Sequence, residues 1–202
     1  MTTYSKTILL LFTFLSLLVL ASCFDDEPLP TLPPITQSGL NTFGCLVDGI
    51  LLTPTDGQDG LGGQGASGLN IYYYKDSLDA IRPPFLDIFA RDYSSGTGPE
   101  YIYIYLPSLF EPARYEINHS KGYRGIDSPP HAHLYAGIWQ IDETFVKYLS
   151  LDKSGVAEII RIDTVNTIVS GTFSATLVDE ETRLDTIQVT EGRFDIDWSK
   201  LD

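Results

Sequence analysis

The chain has 202 residues, 13 of them Lys or Arg against 27 Asp or Glu, for a formal net charge of −14. That balance repels nucleic acid and anionic lipid headgroups, and no basic run offsets it locally, so binding to either lacks its main electrostatic drive. The length suffices for one domain with a substantial core and is short for two.

The chain opens with Lys6 and an apolar run over residues 8–21, too short for a stable bilayer-crossing helix but the size of a signal-peptide core. The run closes on Leu20-Ala21-Ser22-Cys23, where two small residues give a peptidase access to the backbone before a cysteine. This stretch resembles the lipobox of bacterial lipoproteins. The resemblance implies removal of residues 1–22 as a signal peptide, lipidation of Cys23 by acyl chains such as palmitate, and anchoring in the outer membrane. Loss of Lys6 leaves 180 residues with 12 basic against 27 acidic side chains, 12 − 27 = −15. Phe24-Asp25-Asp26-Glu27 follows and is similar to the acidic export signals that send lipoproteins of the Bacteroidota to the cell surface. Asp25, Asp26 and Glu27 are therefore read as an export signal, with display on the periplasmic face as the alternative.

Prolines at 28, 30, 33 and 34 forbid helix and favour an extended polyproline spacer, so residues 23–40 read as the lipidated cysteine and its tether. At about 3.1 Å per residue, residues 24–40 would hold a domain up to roughly 50 Å from the membrane.

From Asn41 onward short apolar or alternating runs rich in Ile, Val, Tyr, Phe and Thr are separated by Gly, Pro, Asp and Ser, the pattern of strands. Strands over 42–47 and 50–53 flank Asp48-Gly49, a tight-hairpin signal. Cys45 lies within the first, and with Cys23 acylated it has no disulfide partner; it reads as a buried small hydrophobe. Residues 56–68 hold six glycines in thirteen positions and read as a loop. Further strands are predicted over 69–74, 85–91, 101–106, 115–118, 134–139 and 145–151. Asp152 to Gly155 has turn chemistry, predicting a second hairpin with a returning strand over 156–163. Alternation continues over 171–178, 186–190 and 193–198. No stretch of ten or more residues after the signal carries a helical stripe. Residues 41–202 thus read as one all-β domain, a β-sandwich of about ten mostly antiparallel strands or, alternatively, a barrel-like closed sheet.

Leu32-Pro-Pro-Ile-Thr-Gln-Ser-Gly39, Asn41-Thr-Phe-Gly-Cys-Leu-Val-Asp-Gly49, Val169-Ser-Gly-Thr-Phe-Ser174 and Thr190-Glu-Gly-Arg-Phe-Asp-Ile196 together resemble a family of small Bacteroidota lipoproteins. The resemblance brackets the domain, leaves residues 55–155 unmatched, and implies location and an all-β fold. It supplies no catalytic residues.

Chemistry is sparse. His131-Ala-His133 would place two imidazoles on one side of a strand, yet Pro129-Pro130 sets them at a loop edge and only His119 and Asp127 lie near to complete a metal site; they are weak candidates and no metal is assigned. Asp56 and Asp59 lack the spacing of a calcium loop. There is no G-x-S-x-G elbow, H-E-x-x-H helix or phosphate-binding loop, so no catalytic residue and no cofactor is assigned. The aromatic content is the stronger signal: 12 tyrosines, with Tyr101, Tyr103 and Tyr105 alternating with Ile102 and Ile104. If the isoleucines face the core, these rings face outward, where they would stack on sugar rings or a protein partner. The expectation is a surface lipoprotein acting as a noncatalytic binding or accessory module, with a glycan or an envelope or surface protein as partner. A structural envelope lipoprotein or a hydrolase are the alternatives.

Overall fold

The structure, a computed structural model, describes residues 31–57, 65–74, 83–94 and 98–200. The signal segment, Cys23, the acids Asp25, Asp26 and Glu27, and Asp59 lie outside the described residues. The strands are β1 (Thr42–Val47), β2 (Ile50–Leu52), β3 (Leu69–Tyr74), β4 (Phe85–Asp92), β5 (Glu100–Pro107), β6 (Arg114–Ile117), β7 (His133–Trp139), β8 (Phe145–Asp163), β9 (Ile168–Asp179) and β10 (Thr186–Asp197). A 3₁₀ turn, Gly125–Asp127, lies between β6 and β7, and no α-helix occurs among the described residues.

The strands pair antiparallel in the order β2-β1-β10-β9-β8-β7-β5-β4-β3, with β6 beside β8, forming one ten-stranded sheet curled into a half-barrel. The all-β expectation holds, and its barrel-like form describes the curl. Bulges account for the bending, since an extra residue on one strand raises local twist. The register slips between Gly44 and Leu46 of β1, between Val189 and Gly192 of β10, and twice along β8. At one end of the strand order, Thr55 beyond β2 reaches the rim of β4, donating its N–H to Arg91 O at 3.0 Å and its hydroxyl to Asp92 Oδ1 at 2.6 Å.

Two predicted turns behave differently. Asp48 and Gly49 both take positive φ, 49° and 81°, as a two-residue hairpin with right-handed strand twist requires, and β1 pairs with β2 across them. Asp152 to Gly155 does not reverse the chain. β8 runs through it, and the register passes from Ser150↔Leu177 to Gly155↔Ala175, so the turn-forming residues are extruded as a wide bulge. Lys153 takes φ 59° there, and its N–H is held by Asn118 Oδ1 while Asp152 Oδ1 accepts from His119 N. Before the bulge β8 pairs with β7 and after it with β6, so one long strand serves two neighbours. The two segments predicted at 186–190 and 193–198 likewise join as β10 across a bulge at Glu191, φ 52°.

Alternation sorts side chains into two layers. The inner face carries Leu86, Ile88, Ile102, Ile104 and Leu134, each fully buried, together with Cys45. Burying an aliphatic side chain of this size contributes about 1.5–3 kcal/mol, so this layer is the principal source of stability. Cys45 behaves as the buried hydrophobe expected, its thiol pushed up to about 12 by burial. The outer face of β4, β5, β7 and β8 carries a second cluster, Phe85, Tyr103, Tyr105, Tyr135 and Leu149.

The folded unit starts at Thr31, ten residues before the boundary read from the sequence. Buried Asp195 accepts from Thr36 Oγ1 (2.6 Å), Gly39 N (2.8 Å), Ser38 N (2.9 Å) and Leu40 N (3.4 Å). Burial alone would raise that carboxyl, but these four donors outweigh it and hold it below the usual carboxylate range. Residues 31–40 are therefore docked on β10 and do not act as tether.

Candidate functional site

The strand registers that bury the isoleucines bring a row of aromatic and polar side chains together on the opposite face. Tyr72 lies opposite Asp87, Asp87 opposite Tyr105, and Phe89 opposite Tyr103. The segment between β6 and β7 crosses this face and is fastened by polar contacts. Gly125, at φ +57°, directs its N–H at Tyr103 Oη (2.9 Å), Ser128 Oγ lies 3.4 Å from the same hydroxyl, and Lys147 Nζ donates to Gly122 O (3.3 Å). The guanidinium of Arg124 lies 4.5 Å from the Phe89 ring centroid, and that of Arg91 lies 5.0 Å from it. Arg91 is fixed by Ser67 O (2.6 Å) and by Asn70 Oδ1.

The crossing segment stops short of β3, leaving a cleft of about 530 Å³ lined by Asn70, Tyr72, Asp87, Phe89, Tyr103 and Arg124, among others. Tyr72 is 54% exposed and forms its outer wall. At the floor, Asp87 Oδ2 accepts from the Tyr103 hydroxyl at 3.2 Å. Burial pushes the Asp87 carboxyl up to about 6, opposed by that hydrogen bond and by the charge of Arg124. Burial and the Asp87 charge together push the Tyr103 phenol above its ordinary range, so it remains a donor at physiological pH. A partly buried carboxylate above its ordinary range, in an aromatic-walled cleft beside a guanidinium, is the arrangement found where ligands are held.

The structure corrects the sequence reading of the tyrosines. Tyr101, Tyr103 and Tyr105 do face away from Ile102 and Ile104, but Tyr103 is 1% exposed and Tyr105 4%. Neighbouring rings cover them: Tyr103 stacks on Tyr135 at 4.8 Å, Tyr105 on His133 at 5.2 Å, and Tyr101 packs against Phe89 at 5.2 Å. Of the three, only Tyr103 reaches the cleft, through its hydroxyl. The open ring is Tyr72.

His131 and His133 do not converge on a common point. Their rings are 6.3 Å apart and nearly perpendicular, His131 Nε2 contacts His119 O at 2.8 Å, and His133 Nδ1 contacts His131 O at 3.2 Å. Burial lowers His133 to about 4, so it is neutral at pH 7. Among the described residues no group of three or more His, Cys, Asp or Glu is arranged to hold a metal. Asp56 closes its loop by accepting from Gly68 N at 2.8 Å, and Asp127 is exposed on the 3₁₀ turn.

Sequence reasoning missed Asp87, Phe89 and Arg124. Asp87 carried a readable signal, being the one acid among Phe85, Asp87 and Phe89 on a single strand face. Arg124 carried none, because only the crossing segment brings it to Phe89. A second depression, of about 380 Å³, is lined by Arg114, Glu158, Glu191 and Arg193 on the other half of the sheet, and its Arg193–Glu191 pair is already satisfied at 3.1 Å. No known protein family, curated protein or solved structure matches the chain.

Proposed function

We propose that the protein is an outer-membrane lipoprotein, anchored through acyl chains on Cys23 and displayed at the cell surface, whose β domain is a noncatalytic binding module using the Tyr72–Arg124 cleft. The lipobox and the Asp25-Asp26-Glu27 cluster support the location. With residues 31–40 part of the folded unit, the sequence leaves residues 24–30 between Cys23 and the domain.

The observation that carries the binding role is Asp87: a carboxylate retained in a partly buried aromatic site, where it is less stable charged than in water. Binding explains it, because a ligand donor restores the solvation it lacks. Asp87 is the one carboxylate among the described residues lining the cleft, whereas glycoside hydrolysis of the usual kind uses two. Retention of the full chain on immobilised polysaccharides and envelope extracts tests the reading. Loss of retention in Tyr72→Ala and Arg124→Ala, with folding intact, supports it; unchanged retention in both refutes it. Protease added to intact cells tests display: the domain is removed from the parent and protected when Asp25, Asp26 and Glu27 are replaced by Ala. Protection of the parent would refute display.

A further inference from the structure

The charges in the cleft restrict what it can hold. Asp87 lies at the floor of the cleft and repels an anion. A cation meets Arg124 and Arg91, whose guanidinium groups already occupy the Phe89 ring that would otherwise attract it. Asp87 and Arg124 do not pair with each other: the ion pairs among the described residues all lie elsewhere. Each therefore keeps hydrogen-bonding capacity for a third party. Asp87 accepts from the Tyr103 hydroxyl through Oδ2 and from the Gly125 backbone, which does not exhaust the lone pairs of its two oxygens. Arg124 rests over the Phe89 ring with its guanidinium carbon 4.5 Å from the centroid and takes part in none of the ion pairs among the described residues, which leaves N–H groups to donate. The occupant that fits has no net charge, offers hydroxyl donors to a carboxylate and oxygen acceptors to a guanidinium, and has an apolar face for the exposed ring of Tyr72.

We propose that the cleft takes a neutral pyranose unit of a glycan, its C–H face laid on Tyr72 and its hydroxyls bonded to Asp87 and Arg124. This rests on the reading of the cleft as a binding site and adds the ligand class. The volume of about 530 Å³ lies within the range of small-molecule sites, and the exposure of Tyr72 leaves an opening for the rest of a chain. A carboxylate and a guanidinium lining one cleft discriminate by geometry: ring hydroxyls donate to one and accept from the other, and inverting one hydroxyl breaks one of the two bonds.

The test is saturation-transfer NMR on the full chain with the methyl pyranosides of glucose, galactose, mannose and N-acetylglucosamine, alongside choline, glucuronate and a neutral blocked tripeptide. At least one methyl pyranoside binds, with saturation concentrated on one ring face. Tyr72→Ala weakens that binding at least tenfold while the variant stays folded at the assay temperature by circular dichroism, since the ring is half exposed and its ring contacts are with Tyr74 and Phe85. Binding of none of the pyranosides, tighter binding of choline, glucuronate or the tripeptide, or an undiminished affinity in Tyr72→Ala each overturns the proposal. Retention on envelope extract that Tyr72→Ala abolishes, with no pyranoside bound, removes the sugar and leaves the binding site standing.

Discussion

Replacing Asp87 by Asn is predicted to stabilise the protein at neutral pH while impairing the cleft. The Asp87 carboxyl sits at about 6 in the folded protein against an ordinary 3.8. Between those values the folded state keeps a proton that the unfolded chain has released, so the parent loses stability as pH rises from about 4 through 6. At 1.36 kcal/mol per pH unit the difference amounts to about 3 kcal/mol above pH 7. Asn escapes that cost, which is already net of the Tyr103 hydrogen bond, for a gain of up to about 3 kcal/mol. For a domain of this size the melting temperature should rise by up to about 6–12 °C at pH 7, with the advantage lost at pH 4. His133 adds a second signature. Held at about 4 against an ordinary 6.5, it takes stability away as pH falls through that window, opposite in sign to Asp87. The two slopes offset each other in the parent between pH 4 and 6, and Asp87→Asn should unmask the His133 slope, so that the variant melts progressively higher as pH rises to 6.5. Thermal melts of parent and variant followed by circular dichroism across pH 4–7 measure both effects. A variant less stable than the parent at pH 7, or displaced equally at pH 4 and pH 7, would refute the reasoning.

Asp195→Ala should cost about 2–4 kcal/mol, because four donors lose a charged acceptor, and should make residues 31–40 newly sensitive to limited proteolysis; unchanged stability and cleavage would show that the docking is incidental. Cys45 should resist alkylation in the native chain and react only on unfolding, given its complete burial and raised thiol, and rapid labelling under native conditions would contradict the core assignment. Mass spectrometry should find the mature amino terminus at an acylated Cys23, whereas an unmodified Cys23 would remove the anchor from the account.

Local rules were enough wherever one face of a strand had to be buried. Alternation placed β1 and β3 to the residue and put Tyr101, Tyr103 and Tyr105 opposite Ile102 and Ile104, because a one-residue slip would expose the isoleucines. Asp48-Gly49 was readable because positive φ at both positions selects one turn. Asp152 to Gly155 has the same kind of composition, and nothing local distinguishes reversal from a bulge; β6 and β7 on one side and β9 on the other keep the strand continuous. The cover over the tyrosines was unreadable for a related reason, since residues between β6 and β7 look like any loop until the registers place them over β4 and β5. The tether was overestimated because proline spacing predicts extended backbone correctly yet says nothing of the Asp195 carboxylate 155 residues beyond Leu40 that captures its end.

Ligand binding in the Tyr72–Arg124 cleft is best tested by a heteronuclear NMR titration of the full chain with the methyl pyranosides. Shifts should concentrate at Tyr72, Asp87, Phe89, Tyr103, Arg124 and Gly125. Shifts centred on the groove of Arg114, Glu158 and Arg193, with the cleft unmoved, would contradict it.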